Sequence, residues 1–103
     1  MPVVVVATIT PKPEDYDAVV EILSAGITRT HAEDDGCQLY ALHTVEGRLV
    51  MIEKWSDDAT LDSHMAGPIF TGLAQQLNGK LAARPDIQRL APIFAGNREL
   101  GAL

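Results

Sequence analysis

Residues 37–55 read C-Q-L-Y-A-L-H-T-V-E-G-R-L-V-M-I-E-K-W, and the arrangement of the whole chain follows from this stretch. Two extended segments, 37–45 and 48–55, are separated only by Glu46 and Gly47. A two-residue link that contains glycine is typical of a tight turn between antiparallel strands, because its central residues adopt positive φ. The stretch therefore predicts a β-hairpin.

The segment before the hairpin predicts a strand followed by a helix. Residues 3–10 form a β-branched run, as expected for a strand buried on both faces. Pro13, with acids directly after it, suits the first turn of a helix, and apolar residues then recur at helical spacing. The acids and the glycine at 33–36 end that helix.

The segment after the hairpin predicts a second helical region and a last strand. Ser56 is placed to cap a helix with Asp57 and Asp58 in its first turn, and Gly67-Pro68 interrupts it. A helical pattern resumes until the Asn78-Gly79 stop. Residues 86–94 form an edge strand, since Pro92 lacks a backbone donor.

The resulting order β-α-β-β-α-β predicts an α+β, ferredoxin-like fold with a four-stranded antiparallel sheet and helices on one face only. It occupies a single domain at 1–95, followed by a C-terminal tail at 96–103.

Both faces of the third strand are apolar, with Val50 and Ile52 on one side and Leu49 and Met51 on the other. A solvated face would alternate with polar residues, so we expect a homodimer in which two sheets pack face to face.

Charge and composition exclude several classes of function. The net charge of -6 leaves no basic stripe for a nucleic acid backbone. The apolar runs are too short to span a membrane, and the N-terminus lacks the basic region of a signal peptide, so we expect a cytoplasmic protein. The single cysteine, Cys37, cannot form an internal disulfide.

No sequence motif for metal, nucleotide or serine-hydrolase chemistry is present. The three histidines lie on different elements without a chelating partner, so we expect no metal site. Polar and aromatic side chains do interrupt otherwise apolar elements, a mixture that suits a pocket for a flat ligand. These residues are Tyr40, His43, Glu53, Trp55, His64 and Phe70.

Three of these residues also have a purely structural interpretation. Trp55 suits a core position, His64 suits a helix surface, and Glu53 suits an ion pair across a dimer. Strand alternation adds a constraint, because Tyr40 and His43 lie on opposite faces of their strand unless a bulge intervenes. The sequence does not decide which of those two residues faces the helices.

Three stretches resemble the antibiotic biosynthesis monooxygenase family: G-C-Q-L-Y-A-L-H at 36–43, I-E-K-W-S-D-D-A-T-L-D-S-H at 52–64 and P-I-F at 68–70. The resemblance covers roughly residues 3–94. It implies a ferredoxin-like protomer, a dimeric α/β barrel and one pocket per protomer between sheet and helices. By the same resemblance, Trp55 and His64 line that pocket, with Phe70 nearby.

Members of the family include cofactor-independent monooxygenases of quinols and anthrones, heme-degrading enzymes and an isomerase of a phosphorylated sugar. The heme-degrading members have a tryptophan in place of His64 and an axial histidine in place of Ala74, which disfavours heme chemistry here. Few arginine or lysine residues are available to bind a phosphate, so the isomerase stays a minor alternative.

The resemblance thus implies a cofactor-independent monooxygenase that oxidises a small reduced aromatic substrate, of the hydroquinone or anthrone type, with molecular oxygen. His64 is the predicted general base or hydrogen-bond anchor, because an unperturbed imidazole titrates near neutrality. Trp55 and Phe70 would stack on the substrate, and Tyr40 or His43 would bind an oxygen, with Glu53 in the same set. The alternatives are a non-catalytic dimer that binds a small hydrophobic metabolite and a purely structural role.

Overall fold

The structure, a computed structural model, describes residues 1–103 and contains four strands and three α-helices. In chain order the elements are β1 (Val3–Ile9), α1 (Tyr16–Glu33), β2 (Cys37–Val45), β3 (Arg48–Trp55), α2 (Asp58–Ala66), α3 (Pro68–Leu77) and β4 (Asp86–Leu90). A short 3-10 turn at Pro13–Asp15 leads into α1, so the helix begins one turn later than its proline predicted.

The predicted hairpin lies at one side of a single antiparallel sheet with the strand order β2-β3-β1-β4. Its turn residues, Glu46 and Gly47, both have positive φ, of 48° and 77°. That pair of angles matches the right-handed twist of the two strands. The α+β, ferredoxin-like fold predicted from the order of elements is confirmed.

One face of the sheet is covered by the helices, and the core lies between these two layers. Along β1 the side chains that face the helices are buried, and so are those of β3. Val19 and Leu23 of α1 are buried against this face together with Leu73 of α3. Because strand side chains alternate, β3 directs Leu49, Met51, Glu53 and Trp55 toward the helices.

The start of α2 differs by one residue from the prediction. Asp57, rather than Ser56, is the N-cap: its side chain accepts a hydrogen bond from the Thr60 backbone N–H at 2.8 Å. The Thr60 hydroxyl in turn accepts a bond from the Asp57 N–H, which completes a capping box. Ser56 instead donates its backbone N–H to the carbonyl oxygen of Gly36, at 2.9 Å.

The last strand is shorter than predicted, ending at Leu90 rather than at residue 94. Pro92 follows closely and cannot donate to a strand ladder. Residues 91–103 contain no helix or strand. The chain turns back toward the sheet, where the backbone oxygen of Leu103 accepts a hydrogen bond from Nζ of Lys54 on β3.

The outer face of the sheet, opposite the helices, carries Val6, Val50 and Ile52 in one cross-strand region. These side chains are half-buried. Both faces of the central strands are therefore apolar, as the sequence indicated. None of the helices is long and apolar enough to cross a membrane.

Candidate active site

An apolar cavity of about 110 Å³ lies between the helix-facing side of the sheet and the helical layer. Three of its lining side chains carry polar groups: Tyr40, Glu53 and His64. The rest of the lining is apolar and comes from the sheet, from all three helices and from the segment before β4: Val5, Ala7, Ile9, Leu23, Met51, Leu61, Met65, Phe70, Leu73, Ala74, Leu77, Pro85 and Ile87.

The ring of His64 is held at the centre of an aromatic cluster. Its centroid lies 4.6 Å from that of Trp55, 5.3 Å from Tyr40 and 5.7 Å from Phe70. The Tyr40 and Phe70 rings meet it edge to face, a favourable arrangement for aromatic quadrupoles. Since three rings from three elements enclose the imidazole, its orientation is fixed by packing.

Asp34 completes the orientation of that imidazole. Its Oδ2 lies 2.5 Å from Nδ1 of His64, whose residue is only 3% exposed. A carboxylate accepts hydrogen bonds, so Nδ1 carries the hydrogen and Nε2 of the neutral ring is a free acceptor. Nε2 makes no hydrogen bond within the chain, and the ring lines the cavity. This carboxylate–histidine pair has the geometry of a positioned general base.

The fold brings Asp34 to His64 through the end of α1. Asp34 is the C-cap of that helix and has an extended conformation, which turns the chain toward α2. Gly36 follows with a φ of 83°, a conformation that glycine adopts without strain. A Cβ there would lie 2.6 Å from Cγ2 of Thr60, so the glycine also permits the close approach of this turn to α2.

Glu53 places a carboxyl group in the same cavity. Its Oε1 accepts a hydrogen bond from Nε1 of Trp55 at 2.9 Å, and Oε2 has no hydrogen-bond partner within the chain. Burial raises the pKa of Glu53 above its ordinary value, while the bond from Trp55 and the nearby His64 act in the opposite direction. The carboxyl group therefore keeps its proton to a higher pH than an exposed glutamate does.

Tyr40 contributes a neutral phenol. Burial is the main cause that raises its pKa, and the neighbouring carboxyl of Glu53 adds to the effect. The hydroxyl consequently stays protonated and can donate a hydrogen bond to an oxygen in the cavity. Nε2 of His31 lies 3.0 Å from the Tyr40 carbonyl oxygen, which ties the end of α1 to β2 behind the ring.

The structure brings four of the six residues singled out from the sequence to the cavity wall: Tyr40, Glu53, His64 and Phe70. Trp55 does not line the cavity. It is fully buried behind the wall, where its ring packs on His64 and its indole N–H bonds Glu53. It therefore supports two cavity residues and does not present a stacking surface.

His43 lies outside the cavity, which corrects its assignment as a substrate-binding candidate. It pairs with Val50 across the β2–β3 ladder, on the outer face of the sheet, and its side chain is exposed. The bulge in β2 lies between Cys37 and Leu39, before both Tyr40 and His43, so it does not bring these two side chains to one face. Tyr40 is the residue of that pair that faces the helices.

Asp34 is a site residue that the sequence pattern does not indicate, because the acids at 33–36 are equally typical of the end of a helix. One signal was present in the sequence. A carboxylate at a helix C-terminus is opposed by the helix dipole, so an acid at that point indicates a partner elsewhere. The sequence alone does not identify that partner as His64, thirty residues further along.

The arrangement suits a flat, mostly apolar ligand with one or two oxygen atoms. The apolar walls can enclose a ring, and the three polar groups can bind its oxygens and accept or donate protons. The lining contains no lysine or arginine that would bind a phosphate.

Comparison with known proteins identifies the family. Residues 2–76 match the family model of the antibiotic biosynthesis monooxygenases. The chain is 37% identical over 95 residues to Rv0793 of Mycobacterium tuberculosis, a protein named for an inferred monooxygenase activity. That alignment covers 89% of this chain and 92% of the relative.

Comparison with solved structures gives a similar result. The structure of Rv0793 superposes with a TM-score of 0.86 at 30% identity, covering 94% of this chain and all of that one. PA3566 from Pseudomonas aeruginosa gives a TM-score of 0.81 at 28% identity, covering 89% of this chain and 94% of its own. Since the family model spans well over half of its length, the chain belongs to the antibiotic biosynthesis monooxygenase family.

Proposed function

We propose that this protein is a cofactor-independent monooxygenase that oxidises a small hydroquinone with molecular oxygen in the cavity between sheet and helices. The observation that carries the proposal is the buried Asp34–His64 pair, which leaves Nε2 of the imidazole free beside an apolar cavity. Membership of a monooxygenase family supports the reaction class.

The first step is the removal of a phenolic proton. Nε2 of His64 takes the proton while the carboxylate of Asp34 holds Nδ1–H and stabilises the imidazolium that forms. The phenolate is electron-rich and passes one electron to oxygen. The two radicals then combine into a carbon-bound peroxide, which receives the proton back from His64.

The overall reaction balances without a reductant. A hydroquinone and one oxygen molecule yield a hydroxyquinone and one water, and the substrate supplies all four electrons that reduce the oxygen. The protein has to position the ring, handle protons and exclude water from the reactive intermediates. The apolar lining of the cavity excludes water.

The size of the cavity narrows the substrate class. Its volume of about 110 Å³ is smaller than the cavity of about 150 Å³ that holds benzene in an engineered core. A single ring, which can extend into the open mouth of the cavity, therefore suits this site better than the three fused rings of an anthrone. The phenol of Tyr40 and the carboxyl of Glu53 are available to bind the ring oxygens.

The absence of cationic side chains from the cavity lining disfavours the phospho-sugar isomerase alternative, because a dianionic substrate would enter an apolar cavity unpaired. A non-catalytic binder would use the same cavity. Turnover distinguishes it from an enzyme, so binding of hydroquinones without oxygen uptake would identify the binder.

The active form in this proposal is a homodimer that buries the outer face of the sheet. Proteins of this family are commonly dimeric. Val6, Val50 and Ile52 form an apolar strip on that face, which the helices leave uncovered.

Light scattering is expected to give twice the chain mass at micromolar concentration. A charged residue in the strip, Ile52→Lys, is expected to yield monomers, and a wild-type monomer would contradict the dimer.

The experiment that tests the function is oxygen uptake with hydroquinones of increasing size, from one ring to three. Uptake is expected with the single-ring compounds, and His64→Ala is expected to lower it by about 10²-fold or more, the contribution of a positioned base. Ser63→Ala is the control, because it removes the exposed side chain next to His64 on the same helix and leaves the proposed dimer face unchanged. Equal rates for the two variants would remove His64 from the reaction.

A further inference from the structure

We propose that Glu53 is a second catalytic residue, the general acid that protonates the hydroxide released when the peroxide O–O bond breaks. This inference rests on the proposed function, because it concerns the second half of the same reaction. It assigns the two proton-handling groups of the cavity to two different steps, with His64 as the base and Glu53 as the acid.

The position of Glu53 on β3 gives its carboxyl group access to the cavity. In the sheet it stands between Val5 of β1 and Tyr40 of β2, all three on the helix-facing side. The residue is 6% exposed and lines the cavity. The bond from Nε1 of Trp55 fixes Oε1, which leaves Oε2 as the oxygen that can carry a proton toward the substrate.

Burial in an apolar cavity keeps this carboxyl protonated more readily than a glutamate in water, as required of an acid. A protonated carboxyl group has one O–H donor, and Trp55 already occupies the other oxygen as a donor. The free O–H is therefore directed away from Trp55. Glu53 is the only residue of the cavity lining with a carboxyl group, and its Oε2 has no hydrogen-bond partner within the chain.

The titratable groups near Glu53 lie on β2, on α2 and at the end of α1. On β4, Arg89 occupies the same sheet row, but its guanidinium is engaged by carboxylates of α2, at 2.7 Å and 3.4 Å. Helix α3 contributes only apolar side chains to the cavity. The titratable neighbours are Cys37 and Tyr40 on β2, His64 on α2, and Asp34 at the end of α1.

The step balances in atoms and electrons. The peroxide carbon also bears a hydrogen, and His64 removes it as a proton. The C–H electron pair becomes the second bond of a new C=O group, the O–O bond breaks, and the departing hydroxide takes a proton from Glu53 to form water. A proton from the imidazolium then returns to the Glu53 carboxylate, which restores both residues.

Glu53→Gln separates acid catalysis from structure, because the amide oxygen still accepts the bond from Trp55 but the amide is a poor acid. The variant is expected to start oxygen uptake normally and then accumulate an organic hydroperoxide, with kcat for quinone formation lower by about 10²-fold. Glu21→Gln, which replaces an exposed glutamate of α1, is the matched control. Product and hydroperoxide are measured in the same reaction.

The pH profile gives a readout that a merely structural role would not move. Wild-type kcat is expected to fall as pH rises through the raised pKa of Glu53, and Glu53→Gln is expected to lose this limb. The stability of the wild-type protein is expected to change with pH in the same direction as kcat. The wild-type chain loses stability as pH rises from the ordinary value of 4.5 through the raised pKa, so the melting temperature of Glu53→Gln gains on wild type with pH.

The results that would overturn the inference are distinct from those that would overturn the function. An unchanged kcat and pH limb in Glu53→Gln would remove Glu53 as the acid while leaving the monooxygenase activity in place. No oxygen uptake by the wild-type protein would overturn both. If Glu53→Gln fails to fold, Glu53→Asp keeps an acid on a shorter arm. Retention of the alkaline limb by that variant supports the role, and a pH-independent rate overturns it.

Discussion

Replacing Asp34 by asparagine separates the two possible roles of His64, as a base and as a packed aromatic ring. The substitution keeps the size of the side chain but removes the charge that holds Nδ1–H, at 2.5 Å. The amide can place its NH₂ group toward Nδ1, which would move the ring hydrogen to Nε2. His64 would then present a donor to the cavity where the reaction needs an acceptor.

The expected magnitude follows from the contacts of the pair. A hydrogen bond to a charged group contributes about 1.5–3 kcal/mol to stability, and the 24% exposure of the Asp34 side chain places this bond at the lower end. A loss of about 1.5 kcal/mol corresponds to a melting temperature lower by about 6–12 °C in a domain of this size. The rate effect is larger, because general-base catalysis contributes about 10²–10⁴-fold.

The assay compares kcat/KM for oxygen uptake with a single-ring hydroquinone, at a temperature well below the melting point of each variant. Asp35→Asn is the matched control, since it removes the adjacent exposed carboxylate and changes the net charge equally. We expect Asp34→Asn to lose about 10²-fold or more while Asp35→Asn keeps the wild-type rate. Rates within about threefold of each other would refute the role of the pair.

Three further predictions concern the support of the site and the absence of a cofactor. Gly36→Ala is expected to destabilise the chain more than Gly47→Ala: both glycines have positive φ, but only at Gly36 would a Cβ lie 2.6 Å from Thr60, so equal melting temperatures would contradict this packing. Trp55→Phe removes the donor to Glu53 and is expected to cost about 1–3 kcal/mol in chemical denaturation. It should also move the alkaline limb of the kcat profile to higher pH, because the bond from Trp55 lowers the Glu53 pKa. A limb at the wild-type pH would contradict the assignment of that limb to Glu53. Dialysis against a chelator is expected to leave the rate of oxygen uptake unchanged, and loss of activity restored by a metal would contradict a cofactor-independent reaction.

The fold was predictable because its determinants are local in the sequence. The Glu46-Gly47 link gave the hairpin, and Gly67-Pro68 gave the break between α2 and α3. Where the prediction was wrong, two similar local signals competed. Ser56 and Asp57 are both good N-cap residues, and Asp57 is the cap because Thr60 can return its hydrogen bond.

The candidate site was less predictable because it depends on which face each side chain takes and on contacts between distant segments. The sequence left Tyr40 and His43 as alternatives, and only the register with β3 places Tyr40 toward the helices. Trp55 was expected to contact the ligand, but the sequence contains no information on the layer in which a buried ring lies. The Asp34–His64 bond joins the ends of two elements and leaves no short motif.

The measurement that tests the central claim most directly is a turnover of the purified protein with a single-ring hydroquinone under oxygen-18 gas. Mass spectrometry of the product reports the label, and a parallel reaction in oxygen-18 water corrects for exchange. A monooxygenase is predicted to place one labelled oxygen atom in the hydroxyquinone and the other in water, at a rate that His64→Ala lowers by about 10²-fold or more. A product without label, or no product at all, would contradict the proposed function.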